Sequence, residues 1–381
     1  MGIGKHGALL CAGTRDGLYL FESDPDRTAW TRRGPYLSGC DASAVAVDAR
    51  GRIFVGTKQH GLFHSDDGGE TWTELPLDRR GPELYQHYRY LPEFFGENAP
   101  GTTENSIWEI HTPPEDPDRL FVGVMPAALF TSGDGGNSWE ELRGLRDLPQ
   151  STEFWGPFGA GFLHSIDVVH NGTNGTSQPA LAVAISVGGV FRSYDQGATW
   201  KVSTSGMTPW KPDDARFDDV HQDIHRMVVA PSNRRRVYCT VHEPSILRSD
   251  DGGGHWQTIP LAGEQGATRP IAVHPRDADR LWIAPLDDQR PDGIPSIGDR
   301  LRVLESRDAG QSFVDWSAGL GDGRCLVYRH AMIADDAPRT AVYLGTSQGL
   351  LIQRFEDGER WVTLADDIPS VRALKYWSPS A

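Results

Sequence analysis

The sequence predicts an all-β protein: a seven-bladed β-propeller of four-stranded antiparallel blades, closed by its C-terminal strand. Three observations carry that expectation. An octapeptide of turn-forming residues ending in an aromatic recurs along the chain, and each copy follows the same pair of short, alternating apolar segments. No stretch sustains the helical apolar period of about 3.6 residues.

The octapeptide is clearest as SDDGGETW (65–72), SGDGGNSW (132–139), SYDQGATW (193–200) and SDDGGGHW (249–256). SRDAGQSF (306–313) exchanges the tryptophan for phenylalanine, RFEDGERW (354–361) keeps an acid, the glycine and the aromatic, and SDPDRTAW (23–30) is a worn copy. Seven turns at intervals of about 40 to 65 residues are a propeller signature, so residues 1–381 are read as one domain.

Within one unit, SAVAVD (43–48), RIFVGT (52–57), GLFH (61–64) and TWTEL (71–75) supply four short strands separated by turn residues. The first unit begins directly at its second strand, ALLCAGT (8–14), and lacks an innermost one. The C-terminal end carries a spare strand, SVRALKYW (370–377), expected to complete blade 1 and remove the unpaired edge of an open ring.

Composition narrows the function. Of 381 residues, 38% are hydrophobic and 23% charged, enough for a large core. Asp and Glu number 52 against 37 Lys and Arg, a net charge of −15 that opposes nucleic acid and anionic lipid as partners. The start, MGIGKHGALLCAG, is too short in apolar residues for a signal core or a membrane span, so a cytoplasmic location away from membranes is expected. Cys11, Cys40, Cys239 and Cys325 form no CxxC pair and are read as reduced thiols.

The pattern S-x-D-x-G-x-T-W resembles the Asp box, or BNR repeat, of sialidases, sortilin-type receptors and many bacterial propellers. With stretches such as PIAVHPRDADRLWIAPL (270–286) and YLGTSQGLL (343–351), the chain looks most like bacterial single-propeller BNR proteins described as glycosyl hydrolase-like. The resemblance implies the fold; it does not imply an activity, because one propeller hosts unrelated functions. The Arg-Ile-Pro motif of sialidases is absent, which makes a sialidase-like glycosidase the minor reading. The box residues themselves suit a turn: Ser and Asp bond nearby amides, glycine supplies positive φ, and the aromatic packs between blades.

In such a meander the boxes ring one end, the bottom, and long aromatic segments gather at the other. These segments are 76–105 with Tyr85, Tyr88 and Phe95, 143–162 with Phe154 and Trp155, 204–218 with Trp210, and 286–299. Aligning the inner strands on their final turn puts Asp48, His111, His170, Ala230, His274 and Asp335 at the bottom, where the three histidines are expected to be structural. Five residues upstream stand Ser43, Ser106, Ser165, His225, Arg269 and His330, with His164 and Arg329 beside them, a polar ring at the top of the channel.

His221, Asp223 and His225 alternate on one approach to that ring, and His242 with Glu243 stands on the same blade's top loop. Joined by His164 and His330, the three residues His221, Asp223 and His225 could ligate a divalent transition metal; a metal-free polar site and a merely wet channel stay open as alternatives. Arg269, Arg329 and Arg372 favour an anionic ligand, or else pair with acids such as Asp167 and Asp223. Ser43, Ser106, Tyr88 and Trp155 complete the expected ligand contacts.

Two functions follow. One is a small-molecule enzyme or binder, a hydrolase or lyase if catalytic, with His225, His330 or His164 as acid and base. The other is a non-catalytic propeller that uses its aromatic rim for a protein or peptide, as assembly factors with similar repeats do.

Overall fold

The computed structural model describes residues 7–78, 106–149, 151, 155–156, 159–171, 178–207, 223–264, 268–286, 300–323 and 325–379. Seven antiparallel sheets of four strands each stand in sequence order, beside one two-stranded hairpin. The innermost strands are Val371–Trp377, Ala42–Val47, Ser106–His111, Leu163–Asn171, Ile224–Val229, Thr268–His274 and Met332–Ala334, for blades 1 to 7. Each packs on the next in that order, and Met332–Ala334 packs on Val371–Trp377, so the ring closes around a central channel.

Closure is built as the spare strand implied. Val371–Trp377 pairs antiparallel with Leu9–Thr14, placing Trp377 opposite Leu9 and Ala373 opposite Gly13. At the bottom of the same joint, the buried Arg27 of blade 1 forms an ion pair with the buried Asp335 of blade 7, which also accepts the Tyr343 hydroxyl at 2.9 Å. Trp30 Nε1 donates to Gln353 across the seam at 3.0 Å. A buried pair of this kind is costly to break from one side, because the remaining charge has no water to turn to.

The octapeptide is a self-contained turn. Ser65 Oγ accepts from the Gly69 amide and lies against Asp67 Oδ1, both at 2.8 Å; Asp67 in turn accepts from the Thr71 amide at 2.9 Å and the Thr71 hydroxyl at 2.6 Å. The Thr71 hydroxyl and amide, with Ser65, hold the Asp67 carboxyl down at about 2. The same bonds recur at Asp134, Asp195 and Asp308. Gly69 has φ +93°, and a Cβ there would stand 2.6 Å from the Leu20 side chain, so glycine permits both the turn and the close approach of blade 1.

The boxes share an end with the turns that follow the inner strands: the Gly135 amide bonds the Asp118 carbonyl at 2.9 Å and Gly252 bonds Arg235 at 2.8 Å. The upper mouth is therefore at the starts of the inner strands. Box tryptophans fill the space between blades, as where Trp256 Nε1 donates to the Ser203 carbonyl at 2.7 Å and Trp361 stacks edge-on against Trp316 at 5.2 Å. These ring pairs supply large apolar area together with a satisfied N–H.

Candidate functional site

Near the upper mouth the inner strands of blades 1 to 6 break register. The residues that fall out of the ladder are Arg372, Ser43, Trp108, His164, His225, and Arg269 with Pro270. A bulge re-aims a side chain and ends regular pairing, and here it does so at one level around the ring. The spacing rule thus places Ser43, His225 and Arg269 correctly at this level, but blade 3 contributes Trp108 in place of Ser106, and blade 4 His164 in place of Ser165.

The slip in blade 3 has a local cause. Its strand ends in a longer turn, closed by Asp116 to Pro113 at 3.2 Å and Arg119 to Asp116 at 3.0 Å, so counting back from His111 starts too early. His111 is a strand residue whose ring centroid lies 6.3 Å from that of Phe121, not a bottom-turn residue; burial pulls its pKa down. His274 does sit at the bottom, paired with Glu356 at 3.2 Å.

Several expected site residues prove to be struts between blades. His164 is fully buried, with Nε2 2.7 Å from the Ile224 carbonyl and Nδ1 3.1 Å from Ser165 Oγ, so both ring nitrogens are engaged in bonds within the protein. Ser43 donates to the Ile107 carbonyl at 2.6 Å, and Ser106 is buried at the start of its strand. Arg372 is taken by Asp41, at 3.2 and 3.3 Å, and its guanidinium lies 4.5 Å from the Tyr328 ring centroid. Tyr88 and His221 lie outside the described residues, as do most of the long upper segments; Trp155 opens the two-residue strand paired with Gly159–Ala160.

The remaining residues form two adjoining groups. In the first, Glu109 Oε2 of blade 3 is 3.0 Å from Arg226 of blade 5 and 3.1 Å from His330 Nδ1 of blade 7, a bridge across the channel. Burial pushes the Glu109 carboxyl up to about 7, against the pull of Arg226, and pushes His330 well below its ordinary value. In the second, Asp223 Oδ2 lies 3.5 Å from His225 Nε2 and 3.6 Å from His242 Nδ1. Burial drives His225 down to about 4 despite Asp223; burial opposes ionisation of Asp223, yet His225, Arg329 and His242 hold its carboxyl well below the usual range.

Arg269 and Arg329 stand beside Asp223. Burial pushes Arg329 down to about 10, helped by the like charge of Arg269, and burial lowers Arg269 as well. Neither makes an ion pair with a carboxylate among the described residues. At this mouth the buried atoms Trp108 Nε1, Thr268 Oγ1, Arg269 Nε and Arg329 Nε lack a hydrogen-bond partner among the described residues. Buried polar groups are nearly always satisfied, so this cluster is what singles out the mouth as a candidate site. The Trp108 and Phe162 rings pack beside it, tilted by 49° with centroids 4.7 Å apart, with Lys58 5.5 Å from the Trp108 centroid and Arg329 5.9 Å from that of Phe162.

The BNR/Asp-box repeat model matches residues 63–74, the third strand and box of blade 2, and the same hydrogen-bond pattern recurs around the closed ring. The chain is a BNR-repeat seven-bladed propeller. Two curated relatives are similar to this BNR propeller: the oligoxyloglucan-reducing end-specific xyloglucanase of Emericella nidulans, 23% identical over 52% of the chain and 22% of the relative, and a probable enzyme of that description from Neosartorya fischeri, 21% identical over 80% and 31%. The chain thus spans less than a third of the length of these relatives. Among solved structures, YCF48 bound to D1 peptide superposes with a TM-score of 0.54 at 16% identity, covering 93% of this chain and 90% of that one, a likeness of fold.

Sequence reasoning missed Glu109, Arg226 and Trp108 in this BNR propeller. The signal was present in SIWEIH (106–111), where a carboxylate interrupts an apolar inner strand. Only the slipped register of blade 3 hid its level.

Proposed function

We propose that the upper mouth of the channel binds a small anionic ligand bearing a carboxylate or phosphate group. The observation that carries this reading is the half-buried pair Arg269 and Arg329, whose Nε atoms are buried without a partner among the described residues and of which Arg329 is depressed by burial and by the like charge of Arg269. Guanidinium forks match oxyanions bidentately, and a net charge of −15 keeps such a site from attracting polyanions indiscriminately. Trp108 and Phe162 offer an apolar wall for the body of the ligand.

His330 and Glu109 give the site a means of moving a proton. His330 faces Glu109 through Nδ1, and a carboxyl with a pKa of about 7 exchanges protons readily at neutral pH. A hydrolase or lyase acting on the bound anion is the chemistry that this arrangement supports.

The test is a thermal-shift series with inorganic phosphate, a small dicarboxylate and a neutral xyloglucan oligosaccharide. Anions should raise Tm in a saturable way, whereas the neutral glycan should not. Stabilisation by the oligosaccharide alone overturns the proposal and favours the carbohydrate chemistry for which the curated relatives are named.

A further inference from the structure

Beside the arginine pair, three atoms of metal-ligating type converge. Asp223 Oδ2 lies 3.5 Å from His225 Nε2 and 3.6 Å from His242 Nδ1, and the ligand atoms of the three residues lie within 4.8 Å of one another. These separations are long for charge-assisted hydrogen bonds, which run at about 2.7–2.9 Å. The two Asp223 separations fit the edges of a coordination tetrahedron, because metal–ligand bonds of about 2.0–2.1 Å set neighbouring ligand atoms about 3.4 Å apart.

His225 is already oriented for this. Its Nδ1 lies 2.9 Å from the Thr268 carbonyl, which can only accept, so Nδ1 carries a proton and Nε2 turns toward Asp223. A backbone carbonyl on the far nitrogen is the common orienting partner of a metal-bound imidazole. The ladder supplies the second histidine: Ile224 pairs with Val241, so the bulged His225 and the following His242 stand side by side, their ring centroids 5.7 Å apart at 78°. The side chains of Asp223 and His242 remain 14% and 25% exposed, which leaves an entry path.

We propose that Asp223, His225 and His242 bind one divalent first-row transition metal, zinc(II) or a close analogue, with the fourth position open to water or an anion. Two imidazoles and a carboxylate are a borderline donor set, suited to such metals and not to calcium or magnesium. The set differs from the one that strand alternation suggests: His242 enters, His164 is saturated, and His330 faces Glu109. Arg269 and Arg329 lie close enough for an anion on the metal to meet them; that link rests on the anion reading above, whereas metal binding itself does not.

The experiment is calorimetric titration of the chelator-treated full chain with zinc chloride in a buffer free of phosphate and carboxylate. One zinc should bind per chain, and His242→Ala and Asp223→Asn should each weaken it by more than about 100-fold, beyond the effect usual for an outer-sphere partner. Thermal melting without zinc checks that the variants fold. Zinc-edge absorption on the wild-type protein should show two imidazoles and bonds of about 2.0–2.1 Å. Absence of zinc binding, unchanged affinity in both folded variants, or a spectrum without imidazole scattering overturns the proposal. Repeating the titration with phosphate separates the two readings: zinc bound with no phosphate effect on affinity or Tm leaves the metal site standing and removes the anion reading.

Discussion

Glu109 Oε2 of blade 3 accepts a hydrogen bond from the Arg226 guanidinium of blade 5 at 3.0 Å, across the propeller channel. His330 of blade 7 approaches the same oxygen at 3.1 Å, so three blades meet on one carboxylate below the mouth.

The contact makes stability depend on pH with a defined sign. Burial raises the folded Glu109 carboxyl from 4.5 to about 7, so in that interval the native state holds a proton that the unfolded chain has released. Its stabilising contribution is fully present below pH 4.5 and is lost as pH rises through about 7. The change is on the order of 3 kcal/mol. Urea unfolding from pH 4.5 to 8 should show this decline in the wild type and a flatter curve in Glu109→Gln. Parallel curves for the two proteins count against the shift.

A second expectation concerns Arg329. A guanidinium held at about 10 by burial and by Arg269 is costly to keep charged in the free protein. Arg329→Gln should therefore raise stability by about 1–2 kcal/mol while weakening anion binding at least about tenfold, the trade expected where a site is strained for function. Measured together, Tm and phosphate affinity should move in opposite directions. A variant that loses both is explained by structure alone.

The ring, its seven turns and its closing strand were legible because each rests on short-range chemistry: glycines with positive φ, a Ser–Asp–Thr hydrogen-bond set, and alternating apolar residues. The level of the site was legible only in part. His225 and Arg269 follow from counting five residues back from Ala230 and His274, whereas Trp108 and Glu109 were hidden by the longer turn after His111. The pairing of Arg372 with Asp41 and the saturation of His164 by Ile224 and Ser165 were not legible, since each depends on contacts between blades that no local pattern encodes. His242 was visible as a top-loop histidine, but its place beside His225 is a consequence of the bulge.

The central claim is that Arg269 and Arg329 are a paired anion site. Anomalous diffraction from crystals grown with selenate tests it most directly. The account predicts a selenium peak with its oxygens within about 3 Å of guanidinium nitrogens from both residues. Both arginines in direct ion pairs with Asp223, with no selenium peak between them, would contradict it.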